Sequence, residues 1–338
     1  QYDRVPCLVH PWMRIAIFID CPMKISAICE KGVKMTQFGQ RKQISRRSMI
    51  ATSAAIATAA GLGSSGKLLA RPQNVLPGAT NSEMSFGLVT YQWGKDLDLP
   101  SLIDTCEKSG LTGVELRTEH RHGVEPSLSK AERDDVRKRF EASSVELVGY
   151  GSNAQFHEAD PDKVKANIEL TKQYIQLMHD CGGSGVKVKP NGFVKDVPHE
   201  KTIEQIGKAL NEVAEYGEKY GQQIRVEVHG AGTQELPAMK AIFDIATHPN
   251  VAVCWNSNAE DLKDGGLTHN FDLVKNRFGA TVHVRELTMN DYPYDELFRL
   301  FKGIQYTGWI LLEARTEPKD KIAALIEQRQ AFEKLTAG

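Results

Sequence analysis

Between Met84 and Leu335 the chain alternates two patterns. Short runs rich in Val, Ile and Leu are followed by longer stretches in which apolar residues recur every three or four positions. The first reads as buried strand and the second as amphipathic helix. The pairs run Met84–Thr90 then Leu99 to Ser109, Gly113–Arg117 then Ser129 to Ala142, and Val145–Tyr150 then Asp160 to Asp180. They continue with Gly185–Lys189 then Glu200 to Lys219, Ile224–His229 then Glu235 to Ala246, and Val251–Trp255 then Phe271 to Phe278. The last two are Thr281–Glu286 then Tyr294 to Phe301, and Trp309–Ala314 then Lys319 to Leu335. Ser129 followed by Glu132 is a capping-box signature, and glycines such as Gly110 and Gly221 stand where helices should stop. Eight strand–helix pairs in strict alternation predict an α/β fold with a parallel eight-stranded (β/α)8 TIM barrel. A doubly wound open sheet is the competitor. It usually carries a glycine-rich phosphate loop after its first strand, and Thr90-Tyr91-Gln92-Trp93-Gly94 is not one.

Charge divides the chain. The whole has a formal net charge of -1, but residues 1–70 hold ten Lys and Arg against three Asp and Glu. The remaining body is therefore acidic, which argues against a nucleic-acid surface. Ser45-Arg46-Arg47-Ser48 precedes a soft, Ala-rich apolar run from Ala51 to Leu62. That order predicts a twin-arginine export signal over 35–70, a linker over 71–83 and the barrel over 84–338. Residues 1–34 read as an upstream extension that the native protein does not contain, with Met35 as a natural start. The predicted place of work is the periplasm, reached through the twin-arginine machinery. No stable membrane span is expected after cleavage, because the apolar run is shorter than the roughly 20 residues a span needs; an uncleaved anchor and the oligomeric state stay open. Cys106, Cys181 and Cys254 are too widely spaced to form a disulfide framework or a thiolate zinc site.

In a TIM barrel the chemistry sits where strands end. Strand five ends in Glu227-Val228-His229, strand six in Trp255-Asn256-Ser257-Asn258, strand seven in His283-Val284-Arg285, and strand eight in Glu313. Period two sends Glu227 and His229 to one side of their strand, and His283 and Arg285 to one side of theirs. One imidazole among oxygen donors suits a hard or borderline divalent ion, Mn²⁺, Mg²⁺ or Co²⁺. Around this mouth the candidate substrate-binding residues are His229, Arg285, Asn258, Lys189, His120, His122 and His157. His120 and His122 are also candidates for a second metal. Each residue alone is ordinary; charge inside a barrel is costly unless paired or bound to a cation, so the set carries the weight.

These motifs, "VEVHG", "VHVREL" and "GWILLEA" in this order, resemble the xylose isomerase-like TIM barrel superfamily of sugar isomerases and epimerases across about residues 84–336. The resemblance implies a metal held by Glu227, Asn256, His283 and Glu313. It also implies catalysis by Glu227 and Glu313, one removing a carbon-bound proton and the other returning it through an enediolate. Two departures stand out. Asn256 occupies the place of the family's strand-six acid, and Ala259 the place of a His found in many of its epimerases. They motivate an alternative, an exported carbohydrate-binding or catalytically degenerate barrel. A lyase or hydratase on an oxidised sugar fits the same intermediate. A DNA-repair endonuclease, also of this superfamily, fits neither the acidic body nor the export signal.

Overall fold

The computed structural model describes residues 83–337; the export signal and its flanking segments lie outside these residues. Eight strands carry the fold: β1 (Ser85–Val89), β2 (Gly113–Arg117), β3 (Glu146–Gln155), β4 (Gly185–Lys189), β5 (Gln223–Glu227), β6 (Val251–Cys254), β7 (Thr281–Val284) and β8 (Trp309–Leu312). Helices α1 (Leu99–Ser109), α2 (Lys130–Glu141), α3 (Pro161–Cys181), α4 (His199–Lys219), α5 (Leu236–Ile245), α6 (Gly266–Val274), α7 (Tyr294–Gly303) and α8 (Lys321–Ala337) follow them in turn. All pairings among the eight strands are parallel, in the order β6-β5-β4-β3-β2-β1-β8-β7. The ring closes between β6 and β7, where His283 donates its backbone N–H to Trp255 O at 2.7 Å and Asn256 bridges His283. This is the predicted (β/α)8 barrel.

Local chemistry sets the helix ends. Asp98 accepts from Ser101 N at the start of α1, and Gly110, at φ 74°, closes its end by donating to Cys106 O and Glu107 O. Ser129 and Glu132 form both halves of the expected capping box on α2. Two elements differ from the sequence expectation. β3 runs on to Gln155, because a register shift lets it pair with β2 low in the barrel and with Lys189 of β4 at the rim. α6 begins at Gly266 rather than Phe271, started by an Asp264-Gly265-Gly266 turn in which all three residues have positive φ. Among the described residues no helix is long and apolar enough to cross a membrane.

The main core lies between strands and helices and includes Leu88, Val114, Val186, Val226 and Ile310. Inside the barrel the apolar cluster is small: Val89, Val148 and Leu311, with Tyr91 and Trp309 against it. The rest of the interior is polar. Arg225 is fully buried near the barrel floor, donating to Val148 O at 2.9 Å and Ser184 Oγ at 2.8 Å. Gly149 and Gly185 make room for it, since a Cβ at either would collide with the guanidinium. Above it, Glu115, Lys187, Glu227 and His283 are all buried. A parallel barrel that fills its centre with charge must pair that charge, and the pairs define the site.

Candidate metal and sugar site

Strand register places the candidate residues at one level. Glu227 ends β5, His283 lies within β7, Glu313 directly follows β8, and Asn256 stands two residues beyond β6. Glu227, His283 and Glu313 each present a donor atom within 4.8 Å of the other two. His283 Nδ1 lies 3.9 Å from Glu227 Oε1 and 3.9 Å from Glu313 Oε2. That nitrogen is buried and has no hydrogen-bond partner. Its other nitrogen, Nε2, lies 3.1 Å from Glu115 Oε1. With a cation bound, the carboxylate on Nε2 would hold a proton there and leave Nδ1 free to ligate. Without one, burial opposes charge on His283, but Cys254 and Glu115 outweigh it and raise its pKa well above the usual value. Burial opposes charge on Glu115, but His283, Lys187 and Arg225 outweigh it and hold its carboxyl below the usual range. A buried imidazole nitrogen aimed at two carboxylate oxygens fits a divalent cation. Asn256, also buried, donates Nδ2 to Glu227 Oε1 at 3.2 Å, so the amide stands beside the same carboxylate.

Two cations lock the glutamates. Lys187 Nζ lies 2.5 Å from Glu227 Oε2, both side chains enclosed. Arg117 Nη1 lies 3.1 Å from Glu313 Oε1, and the Arg117 guanidinium stacks over Tyr91 at 4.8 Å. Burial penalises the Glu227 carboxylate, yet Lys187, His283 and Lys189 hold its pKa far below the usual range. Gly151 makes this crowding possible: a Cβ there would stand 3.1 Å from Arg117 Cγ and 3.2 Å from Lys187 Cε.

The remaining candidates divide. Lys189 and His229 stand at the rim on neighbouring strands, both half-buried. Lys189 reaches only Asn153 Oδ1, at 3.5 Å, and burial with nearby Lys187 lowers its pKa to about 8. His229 Nδ1 and His157 Nδ1 are buried without partners, and so is Arg285 Nε. His157 sits against Gly192, beside the short parallel pairing of Asn191–Gly192 with Gly230–Ala231. His120 holds Thr90 Oγ1 at 3.2 Å, and burial with Arg117 drops its pKa to about 4. His122 departs from its expected role. It donates Nε2–H to Arg117 O at 2.7 Å and accepts from Val124 N on Nδ1 at 3.0 Å, so both nitrogens serve the loop and neither is left for substrate or a second metal. Asn258 donates its side-chain amide to Val228 O at 2.7 Å, tying the loop after β6 to β5.

Glu115, Arg117 and Lys187 complete the site. They face the barrel interior at period two, and that alternation is the signal the sequence carries for them. Of Lys187 and Lys189, either of which the sequence allows to pair with Glu115 or Glu227, it is Lys187 that pairs with Glu227.

The profile of the xylose isomerase-like TIM barrel family matches residues 103–335. The chain belongs to that family. Curated protein sequences gave no match. Solved structures share the fold at low identity. 3-Keto-D-glucoside 4-epimerase from E. coli aligns with a TM-score of 0.63 at 10% identity, over 76% of this chain and 100% of its own. L-Ribulose 3-epimerase aligns with a TM-score of 0.65 at 14% identity, over 75% and 95%. The IolI protein, solved with a zinc atom, aligns with a TM-score of 0.64 at 15% identity, over 75% and 98%.

Proposed function

We propose that this barrel is a metal-dependent sugar isomerase or epimerase that moves a proton on a carbon next to a carbonyl. The observation that carries the reading is the unpartnered, buried His283 Nδ1, facing one oxygen each of Glu227 and Glu313 at 3.9 Å. Glu227, His283, Glu313 and Asn256 would hold the ion. When bound, it supplies Lewis acidity that makes the proton beside the carbonyl easier to remove. Two of the similar structures are named as sugar epimerases, and a third was solved with zinc.

The strands that carry Glu227 and Glu313 lie on either side of β7 in the ring, which suits one glutamate as base and the other as acid for a sugar lying across the mouth. Such proton-transfer groups typically contribute about 10²–10⁴-fold each. Lys187 and Arg117 fix the two carboxylates through their second oxygens. His229, two residues beyond Glu227, is available at the rim to hydrogen-bond a sugar oxygen. Burial lowers its pKa against the pull of Glu227, which favours neutral imidazole at pH near 7.

The test is solvent-deuterium exchange into ketoses by the Mn²⁺-loaded protein. Exchange that is lost in Glu227→Gln and Glu313→Gln supports the reading. Binding of sugar without exchange, together with no bound divalent ion, favours the carbohydrate-binding barrel, for which Asn256 and the Lys187–Glu227 pair speak. The Arg46-Arg47 pair supports export through the twin-arginine route; a mature N-terminus found beyond residue 50 in the periplasmic fraction checks it.

A further inference from the structure

We propose that Lys189 is a nucleophile: its amine condenses with the carbonyl group of an open-chain sugar, or of another small aldehyde or ketone, and holds it at the mouth as an imine. This chemistry goes beyond the metal-dependent reading of the mouth, because a bond to Lys189 needs no ion.

Lys189 and Glu227 end adjacent strands. β4 pairs with β5 as far as Val188 beside Val226, so the next residue of each strand stands at the rim. Period two turns Lys189 to the side that Lys187 takes, and Lys187 meets Glu227 inside the barrel. The two lysines differ in what they touch. Lys187 is enclosed and paired with a carboxylate, which holds it protonated. Lys189 is half-buried, and among the described residues its Nζ reaches the neutral Asn153 Oδ1, at 3.5 Å, and no carboxylate.

A lysine kept for stability pairs with an acid, and one kept for solubility carries its charge into water. Lys189 is instead drawn into the mouth with a second cation a layer below. Burial and that Lys187 charge, helped by Arg117, outweigh the pull of Glu227 and Glu313 and lower its pKa to about 8. Desolvation beside another cation is the setting that frees a lysine lone pair near neutral pH.

The condensation balances without a further reactant. The neutral amine attacks the carbonyl carbon, forming the C–N bond as the π pair moves to oxygen. A proton shifts from nitrogen to that oxygen, a second proton is taken up there, and the oxygen leaves as water. The nitrogen lone pair closes the C=N bond of a protonated imine. His229, at the same rim on the neighbouring strand, keeps Nδ1 without a partner and is placed to carry the proton. Hydrolysis reverses the step and returns the amine.

The test is reductive trapping. The full-length protein, in chelator near neutral pH, is incubated with dihydroxyacetone and cyanoborohydride, and labelled lysines are followed by peptide mass spectrometry. Near neutral pH a lysine of pKa about 8 holds roughly 10²-fold more free amine than an ordinary one. Its lower basicity offsets part of this, so Lys189 should be labelled about tenfold or more faster than the exposed Lys208 and Lys263 of the same molecules. In urea-unfolded protein that lead should vanish. Equal or slower labelling of Lys189 in the folded protein, or a lead that persists after unfolding, overturns the proposal. Chelator keeps the outcome independent of the epimerase reading. Mn²⁺-dependent deuterium exchange with no lead at Lys189 removes the imine alone. A lead at Lys189 with no exchange into any ketose supports the imine and removes the epimerase reading alone.

Discussion

Lys187 Nζ sits 2.5 Å from Glu227 Oε2 in the closed centre of the barrel, with the two side chains 0% and 2% exposed. Burial lowers the pKa of Lys187, but Glu227, together with Glu313 and Glu115, more than reverses that, so both partners are held charged. Lys187 thus supplies positive charge to the carboxylate that a metal would also claim.

Replacing Lys187 by Met should reveal this competition. The metal-free variant loses the partner of a buried carboxylate, a change that typically costs about 3–5 kcal/mol. A domain of this size should then melt on the order of 10 °C lower. Mn²⁺ should restore more stability to K187M than it adds to the parent protein, because the ion takes over the missing charge. Melting curves with chelator and with Mn²⁺ read both effects. An identical Mn²⁺ shift in the two proteins would show that Lys187 and the ion do not share Glu227.

Glu115 acts on the site through His283 rather than by facing it. Its Oε1 lies 3.1 Å from Nε2 across the barrel, from β2 to β7. Glu115→Gln removes the charge that favours the Nε2–H tautomer. Loss of such a supporting carboxylate typically weakens metal binding about 10–100-fold. Calorimetry with Mn²⁺ checks this, with circular dichroism to confirm that the barrel is intact. An unchanged affinity in a folded variant would remove Glu115 from the site.

These relationships mark where sequence reading stopped. Period two and the order of strands were enough to align Glu227, Asn256, His283 and Glu313, because residues after consecutive parallel strands must gather at one mouth. The eight helices were legible from their apolar faces and caps, as Ser129 with Glu132 shows. Which of Lys187 and Lys189 pairs with Glu227 was not, because it depends on the register of β4 against β5, where Lys187 stands opposite Arg225. Two lysines at period two look alike in sequence; only the one a layer lower is enclosed and paired. His122 was misassigned for a related reason. A polar loop gives no sign of whether a ring turns to solvent or satisfies its own backbone, and here it does the latter.

Asn256 gives a prediction of opposite signs. An aspartate there places a second carboxylate beside Glu227 Oε1, where the amide now donates at 3.2 Å. Without metal, Asn256→Asp should lower stability by about 1–3 kcal/mol, the cost of replacing a buried donor with a like charge. With metal, the added ligand charge should tighten Mn²⁺ binding on the order of tenfold. Urea melts in chelator and calorimetry with Mn²⁺ measure the two halves. If affinity does not rise, position 256 does not contribute a ligand.

Asp261 couples the loop after β6 to pH. It is fully buried, it accepts from Asn258 N and Tyr292 Oη, and its other oxygen has no partner. Burial raises its pKa from 3.8 to about 7, although the Asn258 and Tyr292 hydrogen bonds pull the other way. The folded protein therefore keeps a proton that the unfolded chain releases near pH 4. The stabilising contribution is complete below about pH 4 and is lost as pH rises through about 7, at up to about 1.4 kcal/mol per pH unit. Asp261→Asn, which retains an oxygen for both donors, should flatten this dependence and leave the variant more stable than the parent at about pH 8. Asp261→Ala should be less stable at either pH, since it leaves two buried donors unmet. Denaturant midpoints across this range decide between them. A slope that persists in D261N would place the titrating group elsewhere in the barrel.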